Sequence, residues 1–404
     1  MRSVDEHRAA VAALIPAPRT VDLSPGLRPD LVLARDVRAP ISLPPFTNSA
    51  MDGYAVRAAD APEGAVLPVA FDIPAGRTDV PALPPGAACR IMTGAPLPDG
   101  ADAIVPVEQT DGGVEAVRID VAPEPGRFFR AAGSDIEAGE VALRAGERVS
   151  APAVGLAAAL GLTALPVLEP LRVAVLSTGS ELVRPGTPLL PGQIYESNAE
   201  MLAAALTESG GVTVEMLHFV EDSVDSLLAR LAERVTAGGI DLVITTGGVS
   251  AGAYEVVKDA LFGRGVEFVK VAMQPGMPQG CGTVELGDAR VPFVTFPGNP
   301  VSALVSFEVF LRPALRAAMG LPDRPRRSAR LAEPVDSILG KRQYLRGRLA
   351  KEDDGTDSVS VLGGPGSHYL RWLSQANCLL DVPAEVEHLA AGTPVDLIVL
   401  DGTH

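Results

Sequence analysis

From Leu171 onward the chain alternates between short apolar runs and amphipathic stretches. The runs at 172–177, 212–220, 241–246, 266–273 and 291–295 are rich in β-branched residues and do not alternate polar with apolar. Runs of that kind predict strands buried on both faces. The stretches at 197–209, 223–236 (Ser223 as cap), 251–262 and 301–319 carry the spacing of helices. The alternation predicts a doubly wound parallel α/β sheet covered on both faces. Right-handed crossovers then gather the strand carboxyl ends on one edge, where such sheets bind ligands. Three loops of unusual glycine or proline content fall on that edge: 177–182, 246–252 and 296–300. Residues 241–258 are the centre of this pattern. The run Asp241–Thr246 breaks at Gly247 and Gly248, and a helix follows Ser250. A glycine turn feeding a helix start offers N–H groups and the positive end of a helix dipole, which suits an anion such as phosphate.

The flanks read differently. Ser3 caps an Ala/Leu/Val helix that Pro16 ends, and 27–37 forms a helix or strand ahead of Pro40, Pro44 and Pro45, a stiff linker. Residues 46–139 hold short strands (67–73, 88–91, 103–106) between Pro/Gly turns, a small β-rich module. Residues 139–168 add a hairpin edge and an Ala-rich helix expected to pack on the N-terminal helix. Arg324, Arg326, Arg327 and Arg330 read as a polar hinge, and 331–404 as a second β module. The division expected is therefore 1–45 with 140–168, then 46–139, 169–325 and 326–404.

Composition narrows the class. A chain of 404 residues with 47% hydrophobic and 21% charged content is globular. The net charge of −16 argues against non-specific nucleic-acid binding. No apolar run reaches the roughly 18 residues of a membrane span. Cys89, Cys281 and Cys378 are far apart and read as reduced thiols of a cytoplasmic protein. The cysteines and histidines show no zinc-ligand spacing.

At the sheet edge the candidate side chains are Glu181, Asn198, Glu255 and, if its strand is a neighbour, Lys270. Carboxylates beside a phosphate-holding turn are what a Mg²⁺–phosphate complex requires. Taken singly, Glu181 reads equally well as a first-turn acid and Lys270 as a snorkelling strand residue. Asp52-Gly53 alone is a turn, and Asp135 alone a turn cap. No Walker motif or GxGxxG is present, and Ser250 has no histidine nearby in sequence.

Five longer motifs carry a resemblance: Asn48-Ser49-Ala50-Met51-Asp52-Gly53-Tyr54-Ala55-Val56, Arg90-Ile91-Met92-Thr93-Gly94-Ala95-Pro96, Ser177-Thr178-Gly179-Ser180-Glu181-Leu182, Gly247-Gly248-Val249-Ser250 and Phe296-Pro297-Gly298-Asn299-Pro300-Val301-Ser302-Ala303. In that order and over the whole length, the chain resembles the molybdopterin molybdenumtransferases of the MoeA type, the family that includes the gephyrin E domain. The resemblance implies an enzyme of molybdenum cofactor biosynthesis. Such enzymes take molybdate and adenylylated molybdopterin, use Mg²⁺ and release AMP. It also implies an elongated homodimer, with a molybdopterin adenylyltransferase as the donor of substrate. By resemblance Asp52, Thr93 and Asp135 act across the dimer interface, and Glu181, Glu255 and Lys270 act at the sheet edge, with Glu181 and Glu255 on the metal. Gly179, Ser180, Asn198, Gly247, Gly248, Val249, Ser250, Gln274, Pro297, Gly298, Asn299, Pro300, Arg346 and Ser367 line the substrate.

The chain departs from the commonest family pattern at Ser180, Glu221, Ala253 and Glu255, where acidic residues or a shorter Asp are usual. It departs also at Gln274 and Met277, in a Pro-Gly loop that often carries two lysines. Two readings compete with the transferase. One is a pterin-binding or scaffolding paralogue with weakened chemistry. The other is the enzyme that makes the adenylylated pterin, against which the β modules at both ends argue.

Overall fold

The computed structural model describes residues 1–24, 31–179, 181–219, 224–237, 239–247 and 256–400. Part of the 27–37 element, Ser180, Glu221, Gly248, Val249, Ser250, Ala253 and Glu255 lie outside the described residues. The chain divides into two compact units. One holds Met1–Val21 and the chain from Val167 onward; the other holds Leu33–Pro166.

In the first unit a six-stranded sheet has the order Val212–Phe219, Leu171–Thr178, Leu242–Thr246, Ala289–Phe296, Pro278–Leu286, Val266–Lys270. The first four strands are mutually parallel. Their apolar runs are buried on both sides. Val173, Val175, Leu242, Ile244, Val294 and Phe296 face one core with the helix Asn198–Ser209. Ala174, Leu176, Val243 and Phe293 face the other with the helices Val224–Thr236 and Val256–Leu261.

One strand departs from expectation. Pro278–Leu286 runs antiparallel to both its neighbours, in a hairpin with Ala289–Phe296. Its glycines conceal it in the sequence, yet each has a steric reason. A Cβ on Gly280 would meet Thr295 Oγ1 at 2.3 Å, and one on Gly282 would meet the Gly265 carbonyl oxygen at 2.0 Å. The hairpin also pushes Val266–Lys270 to the edge of the sheet. Lys270 is therefore not on a neighbour of Leu242–Thr246, because two strands intervene.

The barrel that follows is closed. Arg342–Lys351 pairs with both Asp357–Val361 and Cys378–Val382, and Arg326–Leu331 and Pro394–Val399 complete the ring. Met273–Gln274 adds itself to the start of Arg342–Lys351, joining the Pro-Gly loop to the barrel. The arginine-rich stretch is not a hinge. Arg326 and Arg342 share buried Asp381, Arg327 pairs with Asp357, and Arg324 reaches Glu308.

The N-terminal helix Val4–Ala12 starts at Ser3 through a capping box with Glu6. It lays Val4 and Val11 into the α/β core, whereas the Ala-rich helix Ala151–Ala159 belongs to the other unit. His7 is fully buried, edge-on to Phe310 at 4.7 Å, and neither ring nitrogen has a partner among the described residues. Burial, reinforced by the charge on Arg2, pushes its pKa from 6.5 down to about 4. The folded value lies below the unfolded one, so the unfolded chain binds the extra proton between them. This stabilisation is complete above about pH 6.5 and is lost as pH falls toward 4, about 3 kcal/mol in all. Urea unfolding at pH 7.5 and 4.5 should show that loss, and His7→Leu should shrink it. An unchanged acid limb in the variant would contradict the assignment.

The second unit is built on a five-stranded sheet ordered Ala103–Pro106, Gly53–Val56, Ala88–Ile91, Val66–Ile73, Ala116–Arg118. Gly53–Val56 is its buried second strand and not merely the end of a turn. All three cysteines are free and buried; burial raises the thiols of Cys89 and Cys378 to about 12.

Candidate functional site at the carboxyl edge of the sheet

The parallel strands Leu242–Thr246 and Ala289–Phe296 end side by side, in register from Val243 with Phe293 to Thr246 with Phe296. Their exits, Gly247 and Pro297-Gly298, run so close that a Cβ on Gly298 would lie 3.3 Å from Gly247 Cα. Gly247 turns at φ +91°, in the left-handed region where glycine carries little strain, and its N–H donates to Phe296 O at 3.2 Å.

One side chain ties the two exits together. Asn198, at the start of its helix, donates through Nδ2 to Thr246 Oγ1 at 2.9 Å and to Gly298 O at 2.6 Å. Thr246 Oγ1 donates onward to Pro297 O at 3.3 Å. The next residues reach the barrel. Asn299 Nδ2 donates to Ser367 Oγ at 2.9 Å, and Val301 N donates to Ser367 O at 3.1 Å. Pro300 opens the helix that follows, where its missing N–H costs nothing.

Arg346 serves this junction from behind. It is buried and donates to Leu362 O at 3.3 Å, to Gly366 O at 2.9 Å and to Gly364 O. Burial depresses its pKa. Its guanidinium shapes the loop that presents Ser367. Glu181 stands at the other side of the edge, exposed, in the turn just ahead of the short parallel pair Leu182–Val183 with Ile194–Tyr195. Its carboxylate folds back over Gly179, where any Cβ would lie 2.6 Å from Oε2. Gly179 is thus the space that the carboxylate uses. Gln274 is half-buried in the strand that joins the barrel.

The structure therefore brings together Asn198, Thr246, Gly247, Pro297, Gly298, Asn299, Pro300 and Ser367, with Arg346 in support. Lys270 is exposed at the far strand. In the other unit Asp52 Oδ1 accepts from Thr93 N at 2.7 Å and Thr93 Oγ1 at 2.8 Å. The backbone donor, then the hydroxyl, hold the Asp52 carboxyl below its usual range. Asp135 is exposed, its N–H on Leu43 O at 3.0 Å. Two residues that hold the junction in place escaped sequence reading: Thr246, at the end of an apolar run, and Glu196, whose Oε1 accepts from Ala199 N at 2.8 Å at the start of the helix that carries Asn198. A carboxylate three residues before an early helical N–H was the available signal for Glu196.

Three family models match in chain order: the MoeA N-terminal region (domains I and II) over residues 2–161, a probable molybdopterin binding domain over 174–317, and the MoeA C-terminal region (domain IV) over 328–400. The chain is 55% identical to molybdopterin molybdenumtransferase 2 of Mycobacterium tuberculosis, over 98% of this chain and 99% of that protein. The chain belongs to the molybdopterin molybdenumtransferase family. Another member, from Haemophilus influenzae, is 33% identical over 98% of both chains. The MoeA protein structure from Pyrococcus horikoshii matches with a TM-score of 0.78, at 30% identity over 99% of both chains. Family membership puts the sheet edge inside the molybdopterin-binding match and the Ser367 loop inside the C-terminal match.

Proposed function

We propose that this chain performs the molybdenum-insertion step of molybdenum cofactor biosynthesis. As a transferase it takes molybdate and adenylylated molybdopterin, cleaves the adenylate with Mg²⁺ and releases AMP. The observation that carries the reading is the junction at the sheet edge. There Asn198 ties Thr246 to Gly298, and Asn299 ties the same loop to Ser367 of the barrel. The result is a glycine-floored ledge with an exposed carboxylate, Glu181, beside it. A phosphoanhydride approaches glycine backbone closely, and a hard oxygen ligand suits Mg²⁺, which takes one or two carboxylates together with substrate phosphates.

No group of three His, Cys, Asp or Glu side chains clusters as a metal site among the described residues. Glu181 fits the one-carboxylate case, with Glu255 as the second ligand of the same reading. When bound, the ion supplies neutralisation of the charge developing on phosphate oxygens. The protein's own part is to orient the phosphates on the ledge and hold the pterin against the barrel loop. The reading includes a cytoplasmic homodimer in which Asp52, Thr93 and Asp135 act, and a molybdopterin adenylyltransferase that supplies the substrate. No helix is long and apolar enough to cross a membrane among the described residues.

The test is AMP release from adenylylated molybdopterin, with and without molybdate and Mg²⁺. The wild type should release AMP in a molybdate-dependent manner. Glu181→Ala should lose about 100-fold or more, the scale on which removing one electrostatic contact acts. Undiminished release in Glu181→Ala would remove that residue from the chemistry. Gln274 and Met277, in the loop without lysines, favour a second reading, a pterin-binding protein without turnover. Tight pterin binding with no AMP release would establish that one.

A further inference from the structure

Residues 274–277 form a short loop between Met273–Gln274, which pairs with the barrel strand Arg342–Lys351, and Pro278–Leu286 of the α/β sheet. Their sequence, Gln-Pro-Gly-Met, carries no charge. One buried side chain holds the loop. Gln279 is 1% exposed and donates through Nε2 to Gly276 O and to Ser306 Oγ, both at 2.6 Å. Ser306 Oγ donates in turn to Ser302 O at 2.7 Å, so toward Gln279 it only accepts. Exchanging the amide nitrogen and oxygen of Gln279 would set Oε1 against the Gly276 carbonyl at 2.6 Å, so the neighbours fix its orientation. Ser306 is the last residue of the helix Pro300–Ser306, which starts at the site junction about 9 Å away along its axis. The packing is close: a Cβ on Gly276 would lie 3.0 Å from Ser306 Oγ and 3.3 Å from Gln279 Nε2.

The peptide joining Gly276 to Met277 is thereby fixed. In a planar trans peptide the C=O and the following N–H point in opposite directions. With Gly276 O drawn inward onto Gln279, Met277 N–H points away from that side chain. Met277 is half-buried, its carbonyl accepts from Val271 N at 2.7 Å, and its N–H has no partner among the described residues. We propose that Gln279 is a positioning residue: it locks this peptide so that Met277 N–H is presented to the anionic substrate, molybdate. The proposal rests on the reading of this chain as a molybdenumtransferase that meets substrate with residues 274–277, and it adds the residue that sets their geometry. Gly276, at φ +94°, cannot hold the peptide's direction by itself, because glycine accepts either sign of φ. A charged side chain follows an anion by changing rotamer. A loop without charge depends on where its N–H points.

The probe is sodium molybdate, titrated calorimetrically into the full chain, with molybdate-dependent AMP release measured alongside. Gln279→Met keeps the length of the side chain and removes both donated bonds. It should weaken molybdate binding and raise the KM for molybdate at least about tenfold, the scale of one buried hydrogen bond left unmade. At saturating molybdate kcat should stay within about threefold, since the loss is one of binding. A side chain that served packing alone would lower the folded fraction, and with it kcat, at an unchanged KM; that result overturns the proposal. Ser306→Ala leaves the bond to Gly276 O in place and should move the KM less than about twofold. A loss equal to that of Gln279→Met would assign the effect to the helix contact and overturn the proposal too. Where Gln279→Met does not fold, Gly276→Ala disturbs the same peptide from the loop side, and unchanged molybdate binding in that variant is again decisive against it. Wild type that binds molybdate without releasing AMP refutes the transferase reading, and the binding ratio then decides the proposal. AMP release with an unmoved KM in Gln279→Met does the reverse. Wild type that neither binds molybdate nor releases AMP removes both.

Discussion

Glu308→Gln is expected to cost about 3–5 kcal/mol of folding free energy, the usual penalty for breaking a buried ion pair from one side. Glu308 lies in the π-helical turn Phe307–Leu311, between the helical segments Pro300–Ser306 and Arg312–Ala318. Its side chain is 2% exposed and receives both arms of Arg324, at 3.1 and 3.2 Å. Arg312 Nε lies 3.7 Å away. Burial depresses the pKa of Arg312, so the site is already short of negative charge. An amide at 308 keeps the shape and removes the one buried anion. Arg324 then keeps the Leu400 carbonyl and, as its remaining carboxylate among the described residues, Glu208, which is largely exposed. The measurement is urea unfolding at neutral pH. A loss under about 1 kcal/mol would mean that water reaches these guanidiniums. Replacing all three by Glu308→Leu, Arg312→Met and Arg324→Leu should recover most of the loss, because the charges are then removed together.

This pair also shows where sequence reading stops. Arg324, Arg326 and Arg327 read as part of a polar hinge because their partners lie elsewhere along the chain, at Glu308, Asp381 and Asp357. Charge alone cannot say whether a guanidinium is hydrated or folded onto a distant acid. The parallel strands were legible for the opposite reason. Strands buried on both faces must be apolar throughout, and that is a local property of Leu171–Thr178 and Leu242–Thr246. The helix at Val4 was legible because its cap is local too, from Ser3 to Glu6. Pro278–Leu286 was not, since its glycines serve neighbours on other strands. At the site, the glycine loops and Asn198 could be read from the chain. Glu196 was passed over although its signal is local, a carboxylate three residues ahead of the Ala199 N–H that it accepts.

Gly53→Ala is the counterpart in the other unit, and its expected cost is about 3 kcal/mol or more, at or beyond the upper end for overpacking. Gly53 pairs with Ile91 on one side and Pro106 on the other. A Cβ there would lie 2.0 Å from Val105 O and 2.9 Å from Pro106 Cα. Both are backbone atoms within the sheet, so no side-chain rotation relieves the overlap and the strands must part. The right comparison is Gly64→Ala. Gly64 has φ +80° and nothing within 4 Å of a Cβ, so its substitution carries backbone strain alone, about 1–2 kcal/mol. Thermal unfolding of the two variants separates the causes. If Gly53→Ala is no worse than Gly64→Ala, close packing is not why glycine stands at 53. The change also reaches chemistry. Asp52 precedes Gly53, and its two bonds to Thr93, at 2.7 and 2.8 Å, depend on where that strand begins. Moving the strand end by even half an ångström would loosen both, so the residue that read as an ordinary turn glycine sets the position of a candidate carboxylate.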